Sequence, residues 1–223
     1  MNHCNRQVKL MLKQLKDFFG GYQATGSIEY IIAGLGNPGK QYENTRHNAG
    51  FLAVDYIAGK LGIPMKRLKF QALCGDGLLA GRRVLFLKPS TFMNRSGESV
   101  RDAMSFYKVP VEKTIVLFDD ASLPVGGMRI RRGGSDGGQK GMKSIIYLTG
   151  TDQFPRIKIG IGHKPHPEMD MADWVLQKFT GADLKNLAPL WPDVLDALEK
   201  MVSGDIEAAM NQYNIRGQGG EPG

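Results

Sequence analysis

The sequence predicts a single α/β domain built on a mixed β-sheet, and two observations predict it. The chain has 223 residues, 42% of them hydrophobic and 23% charged, which is enough for one well-formed core and short for two. Along most of its length, short apolar runs ended by glycine or turn residues alternate with segments of helical spacing. That is the pattern of strands and helices layered on one sheet.

Residues 1–27 read as an N-terminal amphipathic extension. Val8, Met11, Leu12, Leu15, Phe18 and Phe19 fall near one helical face, Lys9, Lys13 and Lys16 take polar positions, and Gly20 and Gly21 break the pattern. A basic amphipathic start suits a surface anchor or an organellar targeting segment; more plainly, it suits a short helix packed on its own domain. Residues 30–35 are an apolar run closed by Gly36, read as a buried strand. Residues 51–61 have helical spacing and stop at Gly62 and Pro64. Segments 72–79 and 83–87 suit two strands joined around Gly81. A helix over 98–107 ends before Pro110, a further buried strand covers 114–118, a short strand 128–131 and a helix 140–148. Residues 156–161 alternate basic and β-branched side chains, as a half-buried strand would. Helical stretches near 168–178, 181–200 and 204–213 complete a domain over 28–215, and the glycine-rich end, 216–223, reads as a flexible tail. No internal repeat is visible.

Charge and composition narrow the function. Lys and Arg number 29 against 22 Asp and Glu, a net charge of +7. This favours a polyanionic partner through phosphate contacts and counterion release, although a basic surface also serves solubility alone, so clustering has to decide. The two cysteines, Cys4 and Cys74, make no disulfide framework and suit a reducing cytoplasm. The four histidines show no zinc-ligand spacing; His163 and His166 share a loop without evident further ligands, so no metal is expected. The longest apolar runs, such as 84–87 and 115–118, are far too short to span a bilayer.

Four polar clusters fall just after expected strands or at loop mouths, where an open α/β sheet places its ligands. In the first, Gly34-Leu35-Gly36-Asn37-Pro38-Gly39, the glycines permit tight turns and Asn37 offers an amide donor and acceptor. Pro38, and the lack of an acidic residue at the usual distance, argue against a dinucleotide site. The second, 42–50, carries Tyr42 and His47 and leads into a helix. A neutral imidazole there can accept a proton near pH 7, although a lone loop histidine is more often a surface or capping residue. The third, 88–97, sets Asn94 beside Phe92 and Met93, a polar contact at an apolar lip unless those two simply pack in the core. In the fourth, 118–124, a carboxylate at the end of a buried strand can hold an imidazole in one tautomer, or it can merely cap a turn.

The densest basic stretch is 129–143, with Arg129, Arg131, Arg132, Lys140 and Lys143 against one acidic residue, Asp136, in a glycine-rich loop followed by a helix start. Basic side chains on such a loop make a phosphate cradle, which Arg156 and Lys158 on the later strand would extend. The bland alternative is a solvated charged loop.

In their order, Gly-Leu-Gly-Asn-Pro-Gly, Thr-Arg-His-Asn-Ala-Gly, Thr-Phe-Met-Asn-x-Ser-Gly, Asp-Asp-x-x-Leu-Pro, Gly-Met-Lys-Ser-Ile and Phe-Pro-Arg-Ile-Lys-Ile-Gly-Ile-Gly resemble the bacterial-type peptidyl-tRNA hydrolases. The resemblance runs from about Tyr30 to Tyr213. It implies one α/β domain with a twisted mixed sheet flanked by helices. The implied activity is hydrolysis of the ester joining a peptide to the tRNA ribose, which recycles tRNA from stalled translation. It also implies that no cofactor or metal takes part, with peptidyl-tRNA as the partner of a monomer in the cytoplasm. On this resemblance His47 is the catalytic base and Asp119 its partner, Asn37 and Asn94 bind the peptide carbonyl and the terminal nucleotide region, and Tyr42 and Met93 line the same crevice. The residue types fit that chemistry. A serine triad has no Gly-x-Ser-x-Gly elbow to support it.

In the glycine-rich loop the sequence departs from the pattern it resembles. Where the family loop reads Gly-Gly-Gly-His-Gly-Gly-His-Asn-Gly, Asp136, Gln139 and Lys140 stand for the two histidines and the asparagine. Lys140 can donate to an oxyanion or phosphate but cannot accept a hydrogen bond, so it stands as a substrate contact only. That change opens an alternative, an inactive relative acting as an RNA-binding or RNA-processing protein. The retention of Asn37, His47, Asn94 and Asp119 together favours the enzyme. The arginine-rich loop argues against a small-molecule esterase.

Overall fold

The computed structural model describes residues 26–214. The amphipathic face read over residues 8–19, Cys4 and the tail over 216–223 lie outside the described residues. Among those described, the strands are β1 (Tyr30–Gly34), β2 (Arg67–Lys69), β3 (Ala72–Leu79), β4 (Arg82–Pro89), β5 (Thr114–Asp120), β6 (Met128–Arg131) and β7 (Arg156–Gly160). The helices are α1 (Ala49–Lys60), α2 (Ser96–Tyr107), α3 (Lys140–Thr149), α4 (Met171–Leu176), α5 (Gly181–Leu187), α6 (Leu190–Val202) and α7 (Ile206–Tyr213).

One mixed sheet runs in the order β2-β3-β4-β1-β5-β7-β6. Its four central strands, β4, β1, β5 and β7, are mutually parallel, and antiparallel pairs close both edges. Parallel strands with both faces covered read as unbroken apolar runs, and β1 and β5 are such runs. Alternate residues feed two cores. Ile32, Phe86, Leu117 and Ile159 meet Val54 and Ile57 of α1 and Val194 and Leu198 of α6. On the other face Ile31, Leu85, Val116 and Phe118 meet Val100 and Ala103 of α2 and Met142 and Ile145 of α3.

The first turn of α1 crosses the strand ends at backbone contact. A Cβ on Gly50 would collide with the carbonyl of Leu117 and the backbone of Leu35. Only glycine lets this first turn of α1 lie directly over β5 and the residue after β1. Gly97 plays the same part where α2 crosses α3, its missing side chain leaving room for the Ser144 carbonyl and its amide donating to Ser144 Oγ at 3.1 Å.

The structure corrects the expected elements in four places. The helix read over 181–200 is two helices, because Pro189 inside it would clash with the preceding turn and lack an amide to donate; Pro192 is tolerated in the first turn of α6. The stretch 168–178 shrinks to α4, capped by Asp170, whose side chain accepts from the Ala172 amide. The edge strand β2 carries a single apolar residue, Leu68, and gives no periodic signal. The strand β7 is not half-buried. It lies between β5 and β6, and Arg156 is 1% exposed.

Candidate active site

The central strands end on one side of the molecule, and the loops that follow β1, β4 and β5 meet there. Single turns of 3-10 helix carry the side chains: Lys40–Tyr42 after β1, Arg46–Asn48 before α1 and Met93–Arg95 after β4. Each turn fixes three residues with little freedom, as positioning groups need.

His47 and Asp119 come together. The ring Nδ1 lies 2.8 Å from Asp119 Oδ2, with His47 9% and Asp119 5% exposed. A carboxylate only accepts, so Nδ1 carries the proton. Nε2 keeps its lone pair and has no hydrogen-bond partner among the described residues. The second carboxylate oxygen, Oδ1, accepts from Gln139 Nε2 at 3.0 Å. The next residue on the strand, Asp120, faces elsewhere. It accepts from Lys158 Nζ at 2.8 Å and from the amide and hydroxyl of Ser122. Burial pushes the Asp120 carboxyl up, but Lys158 and Ser122 outweigh it and hold the group below the usual carboxylate range.

The residues beside His47 hold its turn in place. Asn48 clamps the backbone of Asn37, its Oδ1 accepting from the amide at 2.8 Å and its Nδ2 donating to the carbonyl at 3.0 Å. Asn37 in turn accepts from the Met93 amide at 2.8 Å through Oδ1, which leaves its Nδ2 hydrogens free to donate. Arg46 is buried. It donates to the Ile161 carbonyl at 2.7 Å and to Asp183 at 2.8 Å, with its guanidinium 3.9 Å from the centre of the Trp174 ring. Asp183 closes a capping box with Thr180 at the start of α5. Burial raises its carboxyl, and the Thr180 amide and hydroxyl together with Arg46 more than reverse this, so it sits below the ordinary range.

The rim is different. Phe92 is 56% exposed and meets Tyr42 edge-on, ring centres 6.4 Å apart. Asn94 and Lys140 are exposed. Met93 is 4% exposed and packs in the core directly under the site, its amide on Asn37 and its sulfur beside Gln139, and Phe92 is the residue that stands out at the lip. A cavity of about 460 Å³ opens beyond Asn37 and Asn48, between Lys40, Phe51, Lys88 and Ser90, and neither His47 nor Asp119 lines it.

The basic residues separate into two groups. On β6 and β7, Arg129 pairs with Lys158 and Arg131 with Arg156. Side chains two apart share a face, so Arg129, Arg131 and Lys158 lie on one side of the sheet, that of Phe118, whose ring lies 5.8 Å from Lys158 Nζ. Lys143 is exposed one turn into α3. Arg132 and Arg156 do not join them, contrary to the sequence reading. Arg132 sits past the far end of β6 and pairs with Glu207 of α7, its Nε 2.8 Å from the carboxylate. The buried guanidinium of Arg156 donates to the carbonyls of Gly134, Ser135, Asp152 and Phe154. It holds the glycine-rich loop from inside, and desolvation lowers its pKa.

Sequence reasoning missed three residues here. Arg46 and Asn48 flank His47, yet the partners of Arg46 lie 115 and 137 residues away, and Asn48 reaches the backbone of Asn37 across a loop that carries no periodic signal. Gln139 was visible only as a departure from a pattern, although an amide before a helix start is able both to cap and to donate. Among the described residues no group of His, Cys, Asp and Glu is placed to hold a metal ion, and no helix is long and apolar enough to cross a membrane.

Against known proteins, the sequence model of the peptidyl-tRNA hydrolase family matches residues 31–220. A peptidyl-tRNA hydrolase of a Thermoanaerobacter species is 47% identical over 185 residues, 83% of this chain and 99% of that protein. One from Caldanaerobacter subterraneus is 50% identical over the same spans. The crystal structure of peptidyl-tRNA hydrolase from Acinetobacter baumannii superposes with a TM-score of 0.77 at 36% identity, covering 85% of this chain and 96% of the other.

Proposed function

The chain belongs to the peptidyl-tRNA hydrolase family and hydrolyses the ester that joins peptide to tRNA; from this premise we propose that His47 is the general base and Asp119 the group that orients it. The observation that carries this is the 2.8 Å contact between Nδ1 and Oδ2, which leaves Nε2 uncommitted and able to accept a proton. Neutral His47 takes a proton from water as the water oxygen bonds to the ester carbonyl carbon, giving a tetrahedral oxyanion and an imidazolium. Asp119 stabilises that imidazolium. The bond from carbon to the ribose oxygen then breaks, and the imidazolium returns its proton to that oxygen. Free tRNA, a peptide ending in a carboxyl group and neutral His47 result. An ester leaves more readily than an amide, so a base and one or two amide donors suffice.

Asn37 Nδ2 and the exposed Asn94 amide are the donors we assign to the substrate carbonyl and the developing oxyanion. Tyr42 and Phe92 supply an aromatic lip for the terminal nucleotide region. Lys140 and Lys143 on α3, with Arg129 and Arg131 on β6, are assigned to phosphates, and Lys158 shares the face of the two arginines. Strand rise is about 3.3 Å per residue, so Arg131 lies roughly 10 Å further along the sheet than Asp119. That separation suits a long polyanion whose scissile end reaches the dyad. Arg132 and Arg156 receive no such role. The same reading has the enzyme act as a monomer, in the cytoplasm and without a metal. The alternative of an inactive RNA-binding relative has no observation in its favour.

The test is single-turnover release of tRNA from N-acetylaminoacyl-tRNA with EDTA present. Release by the natural protein that is lost in His47→Ala is the expected outcome. Release that needs an added metal, or that persists in the variant, would overturn the assignment.

A further inference from the structure

Gln139 is the only residue among those described that bonds both the catalytic carboxylate and a helix start. Its side chain is buried. Oε1 accepts from the Met142 amide at 2.7 Å and caps α3, while Nε2 donates to Asp119 Oδ1 at 3.0 Å and lies 3.1 Å from Met93 Sδ. The two ends of this amide are not interchangeable. The backbone amide of Met142 can only donate and a carboxylate can only accept, so a flipped side chain would lose both bonds. We infer that Gln139 is a positioning residue of the reaction, which fixes the Asp119 carboxylate for His47 and ties it to the helix that presents Lys140.

With His47 on Oδ2 and Gln139 on Oδ1, each carboxylate oxygen has one donor, and rotation about the Cβ–Cγ bond would break both. A carboxylate held by a single donor swings more freely, and the imidazole it orients swings with it. Geometry of this kind must hold to about 0.5 Å for efficient base catalysis. The amide also has no charge to change with pH. Where the resembled pattern carries an imidazole at this point, this chain has a donor that stays a donor across the working pH range. The same side chain sets the first turn of α3. Lys140 is the first residue of that helix, so the position of the ammonium at the rim is coupled through one side chain to the dyad.

The inference rests on the His47–Asp119 reading, and two substitutions separate it from that reading and from simple capping. Gln139→Ser keeps an N-cap oxygen for the α3 amides but is too short to reach Asp119. Gln139→Glu keeps the capping oxygen and replaces the donor facing Asp119 with a second carboxylate. Both are compared with the natural protein in single-turnover cleavage of N-acetylaminoacyl-tRNA from pH 5 to 9. Activity is normalised to folded protein by circular dichroism, and tRNA affinity is measured alongside.

For Gln139→Ser the expected result is a loss of about tenfold in turnover, the worth of one hydrogen bond to a charged group, with tRNA affinity within about twofold. Gln139→Glu should lose more. Its acid limb should move to higher pH, because the added negative charge favours protonated His47. If Gln139→Ser keeps natural turnover and both variants keep the natural pH profile, Gln139 only caps a helix and the inference is wrong. If His47→Ala and Asp119→Ala themselves retain turnover, the dyad reading has failed instead.

Discussion

The dyad and the basic face of the sheet are built on opposite principles. At the dyad, bonds run from side chain to side chain: Gln139 to Asp119, Asp119 to His47, with Arg46 and Asn48 bracing the turn. The groups are buried, and geometry matters more than charge. On the basic face Arg131 is exposed, as are Lys140 and Lys143 on neighbouring α3, and charge matters more than geometry. A buried polar group is costly unless paired, so polar side chains that remain under cover must be bonded on nearly every atom. An exposed cation pays little in solvation and can follow a flexible polyanion. Changes at the dyad should therefore alter turnover and spare affinity, and changes on the basic face should do the reverse.

The largest effect should break the comparison if it is misdrawn. His47→Ala is expected to lower single-turnover cleavage by about 100-fold to 10,000-fold, the usual contribution of a general base, while tRNA affinity measured by filter binding stays within about twofold. Affinity falling in step with turnover would mean that His47 acts in binding. Next comes Asp119→Asn. The carboxylate accepts from two donors, His47 and Gln139, and an asparagine has one oxygen to offer them. Its amide must face one of the two, and a loss of about 100-fold or more in turnover is expected, read by the same assay.

Smaller effects should sharpen the contrast between two arginines of neighbouring strands. Arg131→Ala should weaken tRNA binding and reduce the slope of log affinity against log salt by about one, with turnover at saturation preserved. Arg156→Met should leave that slope unchanged and instead destabilise the fold by about 2–4 kcal/mol, since several buried carbonyls lose their donor. Urea unfolding measures the second, and a salt slope that changed in it would return Arg156 to the tRNA face.

The smallest effect concerns the brace. The Asp183 carboxyl is held below its ordinary range, so its contribution is present above the unfolded value of about 3.9 and is lost as pH falls through the folded one. Between pH 7 and pH 3, Asp183→Asn should therefore lose less thermal stability than the natural protein. Equal losses in melts followed by circular dichroism would show that the Arg46–Asp183 pair contributes nothing measurable.

Much of this was legible in sequence because it is local. The apolar runs of β1, β4 and β5 carry their own burial signal, and the clusters around Asn37, His47 and Asp119 stand at strand ends where an α/β sheet collects its site. The break at Pro189 was also local, and the helical spacing on either side obscured it. Other features needed the third dimension. Arg156 in an alternating strand reads as a solvent-facing cation. Only the return of the loop over 133–139 shows that the side chain ends among carbonyls. The pattern of Met93 and Phe92 is silent on which of the two turns outward. Gln139 looked like a loss, since one-dimensional comparison shows what it replaced and not the amide and carboxylate on either side of it.

The brace on Arg46 has a consequence for the order in which the protein assembles. Its partners Ile161 and Asp183 lie 115 and 137 residues later in the chain, and its own backbone amide donates to the Gln177 carbonyl at 2.9 Å. Contacts between segments far apart in sequence close long loops, so the turn that carries His47 stays unbraced until α4 and α5 have docked. The turn that carries His47 is therefore set by contacts distant in sequence, and it takes its final shape only with the native topology. Pulse-labelled hydrogen exchange during refolding should accordingly find the Arg46 amide among the last to gain protection.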